Sequence, residues 1–161
     1  MPNDQELIYW DACIFLAYVN GEAERLQVID AILAEIENND KQKIITSIIS
    51  VVEVAHSASE KNLNTLNPEI EEKIDLLWED RTIIEMVEFH LEIAQLARQF
   101  KRKALKEGFS LSVLDAIHLA SAAWVGVKEF HTFDEKLYKF ESLAGFRICA
   151  PYIQQPRLPN M

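Results

Sequence analysis

One stretch, Ser110 to Leu137, constrains this chain more than any other. Ser112 opens a helix that is apolar almost all round, through Val113, Leu114, Ala116, Ile117, Leu119, Ala120, Ala123 and Trp124. A helix of that kind belongs at the centre of a fold rather than on its rim. Gly126 stops it. Residues Lys128–Phe133 then read as a strand, and Asp134 stands just past its end. Asp115 lies in the first turn of the helix, so one segment carries two acids at element ends.

The same alternation runs through the rest of the chain. Leu7–Trp10, Lys43–Thr46, Arg81–Met86 and Phe146–Cys149 read as short strands rich in apolar and β-branched residues. Helical spacing appears over Ala12–Val19, residues 22–37, 68–78 and 88–106, with Pro68 at a first helical position and Gly108 as a stop. Ser47 is placed to cap a helix over 48–59, and 62–67 reads as a polar linker. A short helix is expected over 135–140. Strands alternating with helices imply parallel crossovers, hence an α/β fold with three α/β/α layers and a mostly parallel central sheet. The expectation is one domain over 1–150 and a loosely ordered C-terminal tail over 151–161.

Composition narrows the function classes. Among 161 residues there are only four glycines and five prolines, which favours helix over turn-rich sandwiches. The net charge of −10 argues against nucleic-acid binding over the whole surface. It leaves room for a local basic patch, and Arg98, Arg102 and Lys106 recur at i, i+4 on one helix. They read either as a solvated face or as phosphate contacts. Cys13 and Cys149 sit in apolar segments and read as buried thiols, not as a disulfide framework. No apolar run approaches a membrane span, and the first residues lack the pattern of a signal peptide. A cytoplasmic protein with no membrane contact is expected.

Four acids stand out by placement. Asp11 and Asp134 each follow the carboxyl end of a strand, and Glu53 and Asp115 fall in early turns of helices that begin at the same edge. Singly, Asp11 and Asp134 read as helix N-caps and Asp115 as the far half of a capping box with Ser112. Glu53 is harder to explain locally, because Ile48, Ile49, Val51, Val52 and Val54 surround it. A carboxylate in that setting needs a partner, a cation or a cleft. Parallel α/β sheets bind ligands outside the carboxyl ends of their strands. Four carboxylates there suit Mg²⁺ or Mn²⁺, which take oxygen ligands and water. A metal so held can activate water for in-line attack on a phosphodiester. No Cys/His zinc pattern is present.

These residues resemble PIN-domain nucleases, in particular VapC-like toxins of toxin–antitoxin pairs. The resemblance is carried by Ile8–Leu16 around Asp11, Thr46–Val54 around Glu53, Gly108–Ala120 around Asp115 and His131–Leu137 around Asp134, in that order along the chain. It implies a PIN-like domain and a metal-dependent endoribonuclease of type II toxin–antitoxin systems. It also implies Asp11, Glu53, Asp115 and Asp134 as catalytic, metal-holding acids. Thr132 falls where the family often has a hydroxyl beside the last acid, and reads otherwise as a plain strand residue. Implied partners are RNA, a protein antitoxin and a second copy of the chain in a homodimer.

Other readings remain beside this one. A non-catalytic binding module could keep the fold. A dehalogenase-like phosphatase wants an acid two residues after Asp11, where Cys13 stands, and a receiver domain wants an Asp ending the third strand, where Met86-Val87 stands. His118, one helical turn after Asp115, reads as a core-edge histidine or as support for the site, and His56 as surface. Trp10, Trp78 and Trp124 read as core.

Overall fold

The structure is a computed structural model that describes residues 5–153. Its centre is a five-stranded, wholly parallel sheet in the order β3-β2-β1-β4-β5. The strands are β1 (Glu6–Trp10), β2 (Gln42–Ser47), β3 (Ile84–Val87), β4 (Glu129–His131) and β5 (Arg147–Cys149). Helices cover both faces, which gives the three expected α/β/α layers.

Strand alternation divides the core in two. Tyr9, Ile45 and Phe130 face one side, beneath α6 (Leu91–Lys106) and α7 (Val113–Val125). Ile8, Trp10 and Ile44 face the other, beneath α1 (Ala12–Asn20), α2 (Ala23–Asn38) and α5 (Pro68–Glu79). Trp10 is buried as expected, whereas Trp78 is half-buried beside Phe15. Trp124 departs from its core reading: it is 52% exposed at the end of α7, with its edge against His90. Val113 and Leu114 are exposed too, so α7 is central from Ala116 to Ala122 and open at both ends.

The helix expected over 48–59 is two helices. α3 (Ile49–Glu53) lasts five residues and stops at Val54. α4 (Ala58–Leu63) starts afresh from Ser57, whose hydroxyl accepts the Glu60 N–H while the Glu60 carboxylate accepts the Ser57 N–H. That capping box supplies a helix start that no glycine or proline marks. Ser47 does serve the start of α3, its hydroxyl accepting the Ile49 N–H. The third strand begins later than expected, because Asp80 ties Thr82 into a turn through both its N–H and its hydroxyl. A 3₁₀ helix occupies Glu135–Phe140 and leads into α8 (Glu141–Ala144). Of the expected tail, Pro151 is buried and the Tyr152 hydroxyl donates to Glu129. The remainder, 154–161, lies outside the described residues.

Candidate active site

The strand order reverses direction at β1, which has β2 on one side and β4 on the other. That is a topological switch point, where the chain leaves a crevice at the carboxyl edge of a parallel sheet. Asp11 follows β1 at this crevice, and Thr132 and Asp134 follow β4. The Asp11 N–H donates to the His131 carbonyl, which keeps the two strand ends adjacent.

Asp11 is 5% exposed. It occupies the N-cap position of α1 but makes no side-chain capping bond. Instead its Oδ1 accepts from the Cys13 thiol at 2.7 Å. Burial pushes its pKa above the ordinary carboxylate value, with Cys13, the Thr132 hydroxyl and His118 offsetting part of that and Asp115 adding to it. Cys13 departs from the plain buried-thiol reading: it is half-buried, touches Thr132 Oγ1 at 3.2 Å and accepts the Phe133 N–H. Its position, two residues into the turn that begins at Asp11, is the signal that it could point back to the acid.

Thr132 is fully buried, and its hydroxyl accepts the Asp134 N–H at 3.1 Å. It therefore shapes the turn that presents Asp134. The Asp134 carboxylate is half-buried and accepts the Lys136 N–H, so its capping reading holds. Asp115 differs. Ser112 Oγ accepts the Asp115 N–H, but the reciprocal bond of a capping box is not formed, and the half-buried Asp115 carboxylate stays free of the helix.

Glu53 ends α3, and its Oε1 lies 2.6 Å from Nε2 of His118, which is 2% exposed. The core reading of His118 holds, since it is a buried histidine with a partner at each nitrogen, and one of those partners is a candidate site acid. Its Nδ1 meets the Tyr9 hydroxyl at 2.6 Å. Among the described residues, no three of the four acids bring ligand oxygens within 4.8 Å of one another. Among the described residues, the group that brings three possible ligand atoms within 4.8 Å is Glu129, His131 and Cys149.

That group spans β4 and β5, with Glu129 and His131 on the first and Cys149 on the second, and has a different character. Glu129 accepts from His131 Nε2, from the Tyr152 hydroxyl and from Arg147. Its carboxylate is already filled, and burial pushes Cys149 up to about 11, keeping it a thiol. This is a hydrogen-bonded brace for β5, not an oxygen-rich cation site. Arg98, Arg102 and Lys106 are exposed on α6 and form no ion pair among the described residues.

Comparisons with known proteins agree with this geometry. No curated protein sequence matches the chain. Among solved structures, VapBC2 from Rickettsia felis, bound to a DNA fragment from its promoter, superposes with a TM-score of 0.62 at 10% identity, covering 88% of this chain and 96% of that one. VapBC-1 from nontypeable Haemophilus influenzae gives 0.61 at 14%, covering 89% and 97%. VapC20 from Mycobacterium tuberculosis, a sarcin-ricin loop cleaving toxin, gives 0.57 at 17%, covering 86% and 95%. At these identities what is shared is the fold. The PIN domain family pattern matches residues 8–143, nearly the whole described fold and every candidate acid. The chain belongs to the PIN domain family.

Proposed function

We propose that the chain is a Mg²⁺- or Mn²⁺-dependent endoribonuclease, the toxin of a type II toxin–antitoxin pair, with Asp11, Glu53, Asp115 and Asp134 as its metal-holding acids. The observation that carries this is the Asp11 carboxylate. It is buried at the sheet's switch point, its pKa is raised, and its near partners are a thiol and a hydroxyl. Such an anion has no Lys or Arg partner among the described residues, and the Asp115 carboxylate is near enough to raise it further, which suits a hard divalent cation.

When bound, the cation supplies a more acidic water and neutralises charge at the phosphate. The chain's own residues do the rest. Asp11 is held rigidly by its burial and by Cys13. Asp115 is fixed by the Ser112 cap on its backbone, with its carboxylate free to turn toward the crevice. Glu53 keeps one oxygen on His118 and leaves the other open. Asp134 stands on a turn set by Thr132, which acts from beneath the surface rather than by touching substrate. Arg98, Arg102 and Lys106 offer a phosphate track on a chain that is otherwise acidic.

The partner reading rests on a second surface. Val51, Leu66, Ile74 and Trp78, with Glu60, Glu71 and Asp75 among them, line a cavity of about 290 Å³ between α3 and α5, next to exposed Val52 and Leu63. An apolar antitoxin segment fits there, close to Glu53 at the end of α3. Exposed Leu91, Leu105, Val113, Leu114 and Trp124 on α6 and α7 suit a homodimer contact.

The test is cleavage of total tRNA and ribosomal RNA by the purified protein with Mg²⁺, with Mn²⁺ and with EDTA, beside Asp115→Asn. Discrete metal-dependent cuts that vanish in a folded Asp115→Asn are expected. Full activity in that variant overturns the site assignment. Neither cuts nor metal binding would move the assignment to a non-catalytic binding module.

A further inference from the structure

Three side chains from three distant parts of the sequence form a buried relay beside the acidic edge. The Ser47 N–H donates to the Tyr9 hydroxyl at 2.9 Å, the hydroxyl meets His118 Nδ1 at 2.6 Å, and His118 Nε2 meets Glu53 Oε1 at 2.6 Å. Tyr9 and His118 are essentially closed to solvent. Tyr9 is locked in place by stacking on Phe130, with ring centroids 4.9 Å apart, and by an edge contact with the His118 ring.

The order of donors follows from the partners. The Glu53 carboxylate can only accept, so the hydrogen between it and His118 belongs to Nε2. A neutral ring that donates through Nε2 presents Nδ1 as an acceptor, which the Tyr9 O–H can satisfy. Glu53 Oε1 is thereby occupied, while Oε2 has no hydrogen-bond partner among the described residues.

We propose that His118, held as the Nε2–H tautomer by Tyr9, is a positioning residue that fixes Glu53 Oε1 and so presents Oε2 to the divalent cation. This rests on the nuclease reading of the acidic edge. The physical gain is pre-organisation. Glu53 ends a five-residue helix, and an untethered glutamate there would lose rotamer freedom on taking up a ligand. A short hydrogen bond to an ionised acceptor settles its orientation beforehand. Hydrogen-bond partners of metal-ligating groups commonly act in this way. The relay begins and ends on one corner, Ser47 and Glu53, so it has a second reading as a plain structural brace.

The experiment separates the two. Mn²⁺ is titrated calorimetrically into the full chain as wild type, His118→Gln, His118→Phe and Tyr9→Phe, with thermal unfolding as the check on folding. Glutamine places an amide N–H where Nε2–H stood, so His118→Gln should keep wild-type affinity. His118→Phe should weaken Mn²⁺ about 10- to 100-fold, and Tyr9→Phe should weaken it less. Long-range proton–nitrogen NMR on the wild type should show the hydrogen of His118 on Nε2. That measurement stands even where His118→Phe fails to fold. Hydrogen on Nδ1, or a folded His118→Phe that binds Mn²⁺ like wild type, overturns the positioning role. If the wild type neither binds Mn²⁺ nor cuts RNA, the nuclease reading falls and takes this role with it. If it does both and His118→Phe matches it, only the positioning role falls.

Discussion

Asp11, just past the end of β1, and Glu129, at the start of the neighbouring β4, are both buried carboxylates, 5% and 7% exposed. They differ in what surrounds them. Burial alone would raise both, but Glu129 has His131, Tyr152 and Arg147 around it, and together these hold it below its ordinary value. Asp11 has a thiol and a hydroxyl, and burial keeps it above. The lesson is that burial of an acid does not mark a site. On the proposed reading a shortage of donors does, because a structural acid is paired at home and a functional one is left for something else to complete.

The sharpest way to break this contrast is to neutralise each acid. Asp11→Asn should lower RNA cleavage at least about 100-fold, the upper range for removing even an indirect partner of a metal. It should also raise the stability of the metal-free protein by on the order of 1 kcal/mol, because an uncompensated buried charge is removed. Glu129→Ala should do the reverse. It strands His131 and Tyr152 and should cost roughly 3 kcal/mol in denaturant unfolding, while cleavage per folded molecule persists.

Acid titration sharpens the same comparison with opposite signs. Glu129 is lowered in the folded chain, so its contribution is complete above its unfolded value of 4.5 and is lost as pH falls through the folded one. Asp11 is raised, so folding is favoured while it is protonated. That contribution is full below 3.8 and lost as pH rises through the folded value. Unfolding free energies of Asp11→Asn and Glu129→Gln, measured across this acid range, should therefore diverge from wild type in opposite directions.

Smaller effects probe the margins of each region. Tyr152→Phe leaves Glu129 with two partners and should cost about 1 kcal/mol in thermal or denaturant unfolding. Replacing Arg98, Arg102 and Lys106 by alanine should leave stability unchanged. If these residues touch phosphates, the salt dependence of RNA binding should flatten by roughly one log unit for each phosphate no longer neutralised. An unchanged slope would return them to a solvated helix face.

Much of the fold was legible in the sequence, because short strands and amphipathic helices alternate with few interruptions. The errors came where the ending of an element is made by side chains. The break after Glu53 rests on the Ser57–Glu60 capping box, and the late start of β3 rests on Asp80 and Thr82. Placement of the four acids at one edge was read from the crossover pattern, and it is the part of the site that the proposed experiments address. Their surroundings were not legible. His118 is 65 residues from Glu53 and 109 from Tyr9, and no local spacing announces pairings of that range. Glu129 and His131 alternate as a strand should, yet occupy the face where the neighbouring β1 puts Ile8 and Trp10. Arg147, Cys149 and Tyr152 approach from β5 and beyond, and Ile32 and Glu35 of α2 lie alongside, which no local spacing foretells.

Thermal unfolding at neutral pH, with and without Mn²⁺, of wild type, Asp11→Asn and Glu129→Gln tests the central contrast most directly. Without metal, Asp11→Asn should melt above wild type and Glu129→Gln below it. With Mn²⁺, wild type and Glu129→Gln should both gain stability while Asp11→Asn gains little. A wild type indifferent to Mn²⁺, or an Asp11→Asn variant stabilised as much as wild type, would contradict the assignment of Asp11 to a cation.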